Sequence, residues 1–413
     1  MQYFFILGRN PTLSIAEIFS RKEIQNQQNF SKITNEFLIL KTQKKIDCQE
    51  LQKKLGGTIK IGEIISMSIE TKRNFKEKLF PQIYNQLIEI SKKSKKLFFG
   101  FSVYGGNLNI KELALEIKRK LKEKGIRSRW VESKERALSS VIVQKNKLLI
   151  SGGEFCFLLR EDGTNKKIYL GKTLSCQEFE EYEFKDFGRP ARKISQGMIP
   201  PKLAKIMINL SQAPEESLIL DPFCGSGTII QEAILMGYKN IIATDVSREA
   251  VENTSKNIEW LLKNFKSQIS DLKFQIFQSD VRNLSEKIDK NSIRAIITEP
   301  YLGPIKIVNS QLKIENLIAD LSHLYLTAFR EFKKILKANG KIVIIFPLFK
   351  IKNKLYFLPI LDDLKKSGWQ VLNPIPENLK KESVIKLTNR YSILYFRPDQ
   401  KILREIFIFK KYG

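Results

Sequence analysis

Residues 201 to 413 predict an α/β fold, an open and mostly parallel sheet covered by helices, and the residues before them predict smaller α+β units. Three observations lead there. Short continuous apolar runs such as Leu218-Ile219-Leu220 alternate with amphipathic segments of helix length, as strands buried on both faces do. The stretch SLILDPFCGSGTII, Ser217 to Ile230, leaves such a run through Asp221, crosses a Gly225-Ser226-Gly227 turn and enters an apolar-periodic helix. Acids also follow the next two strands, and ligands of open α/β sheets sit at the carboxyl ends of strands.

Residues 1 to about 75 read as a small α+β unit. A strand, YFFILG, precedes a helix opened by Pro11 and Thr12 or Ser14. A strand (EFLILKT), a helix (CQELQKKLGG) and a strand around 59 to 69 complete a βαβαβ order. Residues 76 to 165 continue with a helix (FKEKLFPQIYNQLIEISKK), a strand (KLFFGFSVY), a Gly105-Gly106 turn and a basic helix (IKELALEIKRKLKEKG). Strands RSRWVES and SSVIVQ and the run from Leu148 to Leu159 follow. The basic helix sets Leu113, Ile117 and Leu121 on one face, and Lys118, Arg119, Lys120, Lys122 and Lys124 fill much of the rest. A charged helix face is ordinarily solvated surface. Here Lys92, Lys93, Lys95, Lys96, Arg127, Arg129 and an exposed-looking Trp130 lie close in sequence. Cations for phosphates beside a ring for bases suit RNA, which makes Lys118, Arg119, Lys122, Arg127, Arg129 and Trp130 the candidate RNA contacts.

Residues 166 to 200 carry polar sequence punctuated by Gly188, Pro190, Pro200 and Pro201, and read as a largely extended linker. From 201 onward the strands are SLILDPF, NIIATDV, FQIFQSDV, RAIITEPY, KIVIIFP, WQVLNP, YSILYFR and REIFIFKK. The last two have no clear helix between them, so they are expected as an antiparallel edge pair.

The chain has 413 residues, 42% hydrophobic and 28% charged, enough for two or three domains. Its 71 Lys and Arg against 44 Asp and Glu give a net charge of +27. Such an excess attracts a polyanion and makes binding salt-sensitive. Cys48, Cys156, Cys176 and Cys224 are far apart and His323 is the one histidine, a poor basis for a metal site or a disulfide framework. No stretch approaches the ~20 apolar residues of a membrane span, and the start lacks the basic region of a signal peptide. A cytoplasmic location without membrane association is therefore expected. His323 lies in the helix IENLIADLSHLYLTAFREFKKIL, beside Leu317, Leu321, Leu324 and Ala328, and is given no role.

The glycine loop narrows the choice of cofactor. A dinucleotide loop wants a third small residue, for helix packing beside a pyrophosphate, where this chain has Ile230. S-adenosyl-L-methionine has no pyrophosphate, and its cationic end favours a carboxylate such as Asp221. Asp245 is placed to accept from ribose hydroxyls, and Asp280 from an adenine amine. Thr298-Glu299-Pro300-Tyr301 ends the fourth strand, the natural place for the substrate. A base amine is a poor nucleophile, so acceptors at Thr298 and Glu299 would receive its hydrogens and Tyr301 would stack on the base.

These residues resemble the THUMP-domain tRNA guanine-N2-methyltransferases of archaea and eukaryotes over nearly the whole length. YFFILGRNPTLSIAEI is similar to that family's opening, and SSVIVQKNKLLISGGEFCFLL to the last part of a THUMP domain, an RNA-binding unit. The GRP linker, the Gly-Met-x-Pro-Pro-Lys-Leu-Ala run and DPFCGSG match in turn. The resemblance implies a Rossmann-like class I S-adenosylmethionine methyltransferase domain at 201–413, preceded by amino-terminal and THUMP domains. It implies cofactor contacts at Asp221, Phe223, Gly225, Gly227, Asp245 and Asp280. It implies methylation of a guanine amine in tRNA at position ten, and for some relatives an activating protein subunit. The family usually carries Asp or Asn, then Pro-Pro and an aromatic, at the catalytic loop. Thr298 and Glu299 replace the first two, and Glu299 is expected to supply the missing carboxylate one position along. Methylation of ribosomal RNA or DNA stands as one alternative, and an inactive RNA-binding protein with a retained methyltransferase fold as another.

Overall fold

The computed structural model describes every residue except 26–29, 71–74, 95, 163–164, 192–197, 266–270, 305–310, 353, 398–399 and 413. Lys95 of the basic run and Gly197 of the linker motif thus lie outside the described residues. The chain divides into two compact units, one of Met1–Ile15 with Glu23–Glu180 and one of Ala16–Lys22 with Glu181–Gly413.

The elements of the first part are β1 (Gln2–Leu7), α1 (Pro11–Ser20), α2 (Lys22–Gln25), β2 (Phe30–Ile33), β3 (Phe37–Lys41), α3 (Cys48–Lys54), β4 (Thr58–Glu70), α4 (Phe75–Ser91), β5 (Leu97–Tyr104), α5 (Lys111–Glu123), β6 (Ser128–Val131), α6 (Ser140–Lys145), β7 (Gly152–Asp162) and β8 (Asn165–Cys176). Their strands form one eight-stranded sheet in the order β2-β3-β1-β4-β8-β7-β5-β6. The boundary expected near residue 75 therefore falls inside a single sheet. A buried ion pair crosses it. Lys60 on β4 meets Glu154 on β7, whose carboxylate also accepts from Ser102 at 2.5 Å and Thr173 at 2.7 Å. Burial works against the Lys60 ammonium, but the Glu154 charge outweighs it and holds the pKa above the ordinary lysine value.

Two further expectations are corrected. SSVIVQ is helical, not a strand. Ser139 adopts extended backbone and its hydroxyl accepts from Ile142 N, capping α6, and Val143 is the buried residue of that helix. The cap overrides the β preference of Val-Ile-Val. The segment from 166 was expected as linker, yet β8 pairs with both β7 and β4. Its polar residues are buried with partners: Thr173 donates to Glu154, and Ser175 donates to the Cys48 carbonyl at 2.8 Å.

The second part contains α7 (Phe179–Phe187), which starts at the division between the units, α8 (Pro201–Ser211), β9 (Leu218–Asp221), α9 (Thr228–Leu235), β10 (Asn240–Asp245), α10 (Arg248–Phe265), β11 (Lys273–Gln278), a 3-10 turn (Val281–Glu286), β12 (Ile293–Thr298), α11 (Gln311–Ile335), β13 (Leu336–Ile351), β14 (Lys354–Phe357), α12 (Leu361–Lys366), β15 (Trp369–Val371), a 3-10 turn (Glu377–Leu379), β16 (Ile393–Tyr395) and β17 (Ile402–Lys411). The sheet runs β11-β10-β9-β12-β13-β17-β15, with β14 on β13 and β16 on β17. Strands β11 to β13 are parallel, as their apolar runs predict. The last two strands do pair antiparallel, but not simply as an edge pair: β17 lies between β13 and β15. The core is aromatic where α11 meets the sheet, with Phe329 edge-on to Trp369, Phe346 and Phe409. No helix among the described residues is long and apolar enough to cross a membrane.

Candidate active site

Strand β9 ends on Asp221, and the chain then needs left-handed backbone twice, at Gly225 (φ +56°) and Gly227 (φ +77°). The two glycines differ in surroundings. A Cβ on Gly227 would lie 2.8 Å from Thr254 of α10, so that position is small for packing. A Cβ on Gly225 would meet nothing within 4 Å, so the loop is open there. Asn257, buried on α10, fastens this loop to the linker. Its amide donates to the Ser226 carbonyl at 2.8 Å and the Ala191 carbonyl at 2.9 Å, and accepts from Ala191 N at 2.9 Å. Arg189 of the GRP sequence donates to Thr228, the first residue of α9, at 2.8 Å. Arg189 and Ala191 are thus held in place, in a segment expected only as a connector.

Asp221, Asp245 and Asp280 stand at the carboxyl ends of three adjacent strands, β9, β10 and β11. Asp245 accepts from Gly225 N at 3.0 Å and Ser247 N at 2.9 Å, one bond to each oxygen. Asp280 caps the 3-10 turn through Arg282 N and is ion-paired to the Arg282 side chain, whose hydrogen bonds hold its carboxyl below the usual range. Phe223 packs half-buried against the core. Asp221 is buried, and burial pushes its carboxyl up to about 7 against the hydrogen bonds from Thr298 and Phe223 N. Both of those bonds reach Oδ1, Thr298 at 2.7 Å and Phe223 at 3.2 Å.

The fourth strand end departs from the expectation for Thr298. Its side chain is fully buried and its hydroxyl donates to Asp221. It is tied to the end of β9, where the glycine loop begins. Glu299, one residue on, turns the opposite way, as successive strand residues do. It is ion-paired with Arg404 of β17, Nε to Oε1 at 2.5 Å and Nη2 to Oε2 at 3.3 Å. Burial raises the Glu299 pKa, and Arg404 opposes that rise. Pro300 is buried, while the Tyr301 side chain is 56% exposed. The Tyr301 carbonyl accepts from the Tyr325 hydroxyl at 3.3 Å, which pins the loop from α11.

In the first unit, Lys118, Arg119 and Lys122 are exposed on α5, and Arg127 and Arg129 are exposed beside and on β6. Arg119 is ion-paired with Glu123 at 3.4 Å. Trp130 corrects the reading of an exposed ring. It is half-buried against the core of α4, α5 and β5, on the face opposite Arg129. Sequence reasoning did not find Arg404, Asn257 or Arg189, whose partners lie 31 to 105 residues away.

Residues 189–356 match the UPF0020 family, described as an RMKL-like methyltransferase domain, and residues 17–257 match the N6_N4_Mtase family, described as DNA methylase. The second match spans more than half of the chain, and the chain belongs to that methyltransferase family. It is 32% identical over 173 residues to the tRNA (guanine(10)-N2)-dimethyltransferase of Methanothermobacter thermautotrophicus, which covers 41% of this chain and 46% of that protein. It is 29% identical over 195 residues to the enzyme of the same name from Pyrococcus abyssi, covering 46% and 52%. The aligned part is about half the length of these relatives. In fold the chain is similar to the crystal structure of TrmN from Thermus thermophilus, with a TM-score of 0.53 at 14% identity over the full length of both chains.

Proposed function

We propose that this methyltransferase transfers a methyl group from S-adenosyl-L-methionine to the exocyclic N2 of a guanine in tRNA, at a position equivalent to ten, in the cytoplasm. The observation that carries the reading is the row of carboxylates Asp221, Asp245 and Asp280 at adjacent strand ends, next to a loop that presents Tyr301. The relatives' names and the basic first unit, with its THUMP-like segment 76–165, support tRNA as the acceptor.

The residues fit that donor. Gly225 leaves open space above the loop. Asp221 offers a carboxylate to a cationic group. Each oxygen of Asp245 accepts one backbone N–H and keeps a lone pair for a ribose hydroxyl. Asp280 is held ionised by Arg282 and can accept from an amine. S-adenosylmethionine supplies, when bound, an electrophilic methyl for in-line displacement. The chain supplies alignment and charge. Tyr301 stacks on the turned-out base, and Glu299 accepts from its amine while Arg404 fixes the carboxylate. Thr298 orients Asp221. Lys118, Arg119, Lys122, Arg127 and Arg129 hold phosphates, with Trp130 supporting the strand they flank.

A DNA amine is the second reading, favoured by the match to the DNA methylase family. Label from methyl-labelled donor is expected in an unmodified tRNA transcript, as N2-methylguanine after digestion, and not in duplex DNA. Label in DNA alone, or none in tRNA from protein that binds the demethylated donor, overturns the proposal. Glu299→Gln is expected to lower turnover at saturating donor by roughly tenfold or more, and near-normal turnover removes Glu299 from the mechanism.

A further inference from the structure

Strand β13 outruns its parallel neighbour. On one edge, Lys341 to Phe349 pair with β17. On the other, β12 pairs as far as Ile344, opposite Thr298, and β14 takes over from Leu348 to Ile351. A strand has two edges, so β14 lies on the same side of β13 as β12, beyond its carboxyl end. That is where Glu299, Pro300 and Tyr301 emerge. Gly303 shows the closeness, since a Cβ there would come within 3.4 Å of the Phe349 ring.

The β13–β14 hairpin has an unusual surface. Lys350, Lys352 and Lys354 are exposed, none forms an ion pair among the described residues, and no acid occurs from Lys350 to Phe357. Leu355 is 51% and Phe357 48% exposed on the face that Lys350 shares through its pairing with Leu355, Lys354 and Tyr356 take the other face, and Tyr391, next to Arg390 in sequence, is 54% exposed. Lys354 sits 5.0 Å from the centre of the Tyr356 ring, and the Arg390 guanidinium 4.6 Å from that of Phe357. Lysines alone would be the usual protection of an edge strand against pairing. Exposed rings do the reverse, so edge protection leaves half of the surface unexplained.

We propose that this hairpin, together with Tyr391, holds the unpaired nucleotides that flank the target base. The proposal rests on the reading of the chain as an RNA methyltransferase. A base turned out to reach Tyr301 leaves its neighbours unstacked. Exposed rings replace that stacking, and unpaired lysines match the phosphates between.

The full chain tests it in two variants, Lys350→Ser/Lys352→Ser/Lys354→Ser and Tyr391→Ala, with melting temperature and binding of the demethylated donor as controls. Expected are a KM for a tRNA transcript raised at least fivefold with little change in turnover, and a matching loss of anisotropy-measured affinity for a 12-nucleotide single-stranded RNA. A KM and an oligonucleotide affinity within twofold of the unaltered protein overturn the proposal, as does equal loss of affinity for duplex RNA. If the triple variant does not fold, Lys352→Ser replaces it. If the unaltered protein methylates no tRNA, the reading as an RNA methyltransferase falls, and the oligonucleotide affinities alone decide the surface.

Discussion

Thr298 and Glu299 are neighbours in sequence whose side chains serve different partners: the hydroxyl meets Asp221 on β9, the carboxylate meets Arg404 on β17. Asp221 carries the consequence. Its carboxyl is raised to about 7, so the folded protein binds that proton more tightly than the unfolded chain does. The associated stability is present below about pH 4 and is lost as pH rises through about 7. Asp221→Asn keeps an acceptor for Thr298 and Phe223 N and removes the ionisation. It is expected to flatten the dependence of melting temperature on pH between about 4 and 7 and to raise the melting temperature at pH 8. The upper limit is about 4 kcal/mol. The same variant should lose roughly tenfold or more in affinity for the cationic donor, because the charge that destabilises the empty fold is the charge that the donor meets. The position of Asp221, Asp245, Asp280 and Tyr301 at strand ends was legible from the spacing. The direction of the Thr298 hydroxyl was not, because it depends on the stagger between β12 and β9, which no local pattern encodes.

Among elements, β4 and β7 show what joins the first sheet. Lys60→Met leaves Glu154 buried without its counter-charge, although Ser102 and Thr173 still donate to it. A loss of about 3–5 kcal/mol is expected. The double variant with Glu154→Gln should recover part of it, as chemical denaturation would measure. No recovery would mean that packing around Lys60, and not its charge, is what the sheet needs. The same pair helps explain why the unity of the residues on either side of 75 could not be read: this contact between them spans 94 residues and involves a lysine, which composition assigns to the surface. Helix α6 and strand β8 were misread for related reasons. A serine cap outranked β-branched residues in the first, and buried Thr173 and Ser175 looked like linker residues in the second. The parallel strands β9, β10, β12 and the centre of β13 were legible because each carries a continuous apolar run.

For the whole molecule the excess of 27 positive charges is the dominant long-range property. Affinity for tRNA is expected to fall about a thousandfold or more between 50 and 200 mM salt if ~6–10 phosphates are neutralised. A flat titration would remove phosphate contact as the source of binding. Net charge was legible from composition, whereas its placement beside Tyr301 required the register of β13, β14 and β17. Strand β17 has one more implication, for biosynthesis. The guanidinium that holds Glu299 belongs to this strand, which must slot between β13 and β15, two strands made before it. A nascent chain stalled before Ile402 would already have its glycine loop but would lack Arg404, the ion-pair partner of Glu299. Until translation passes that point, the waiting strand edges need shelter from aggregation.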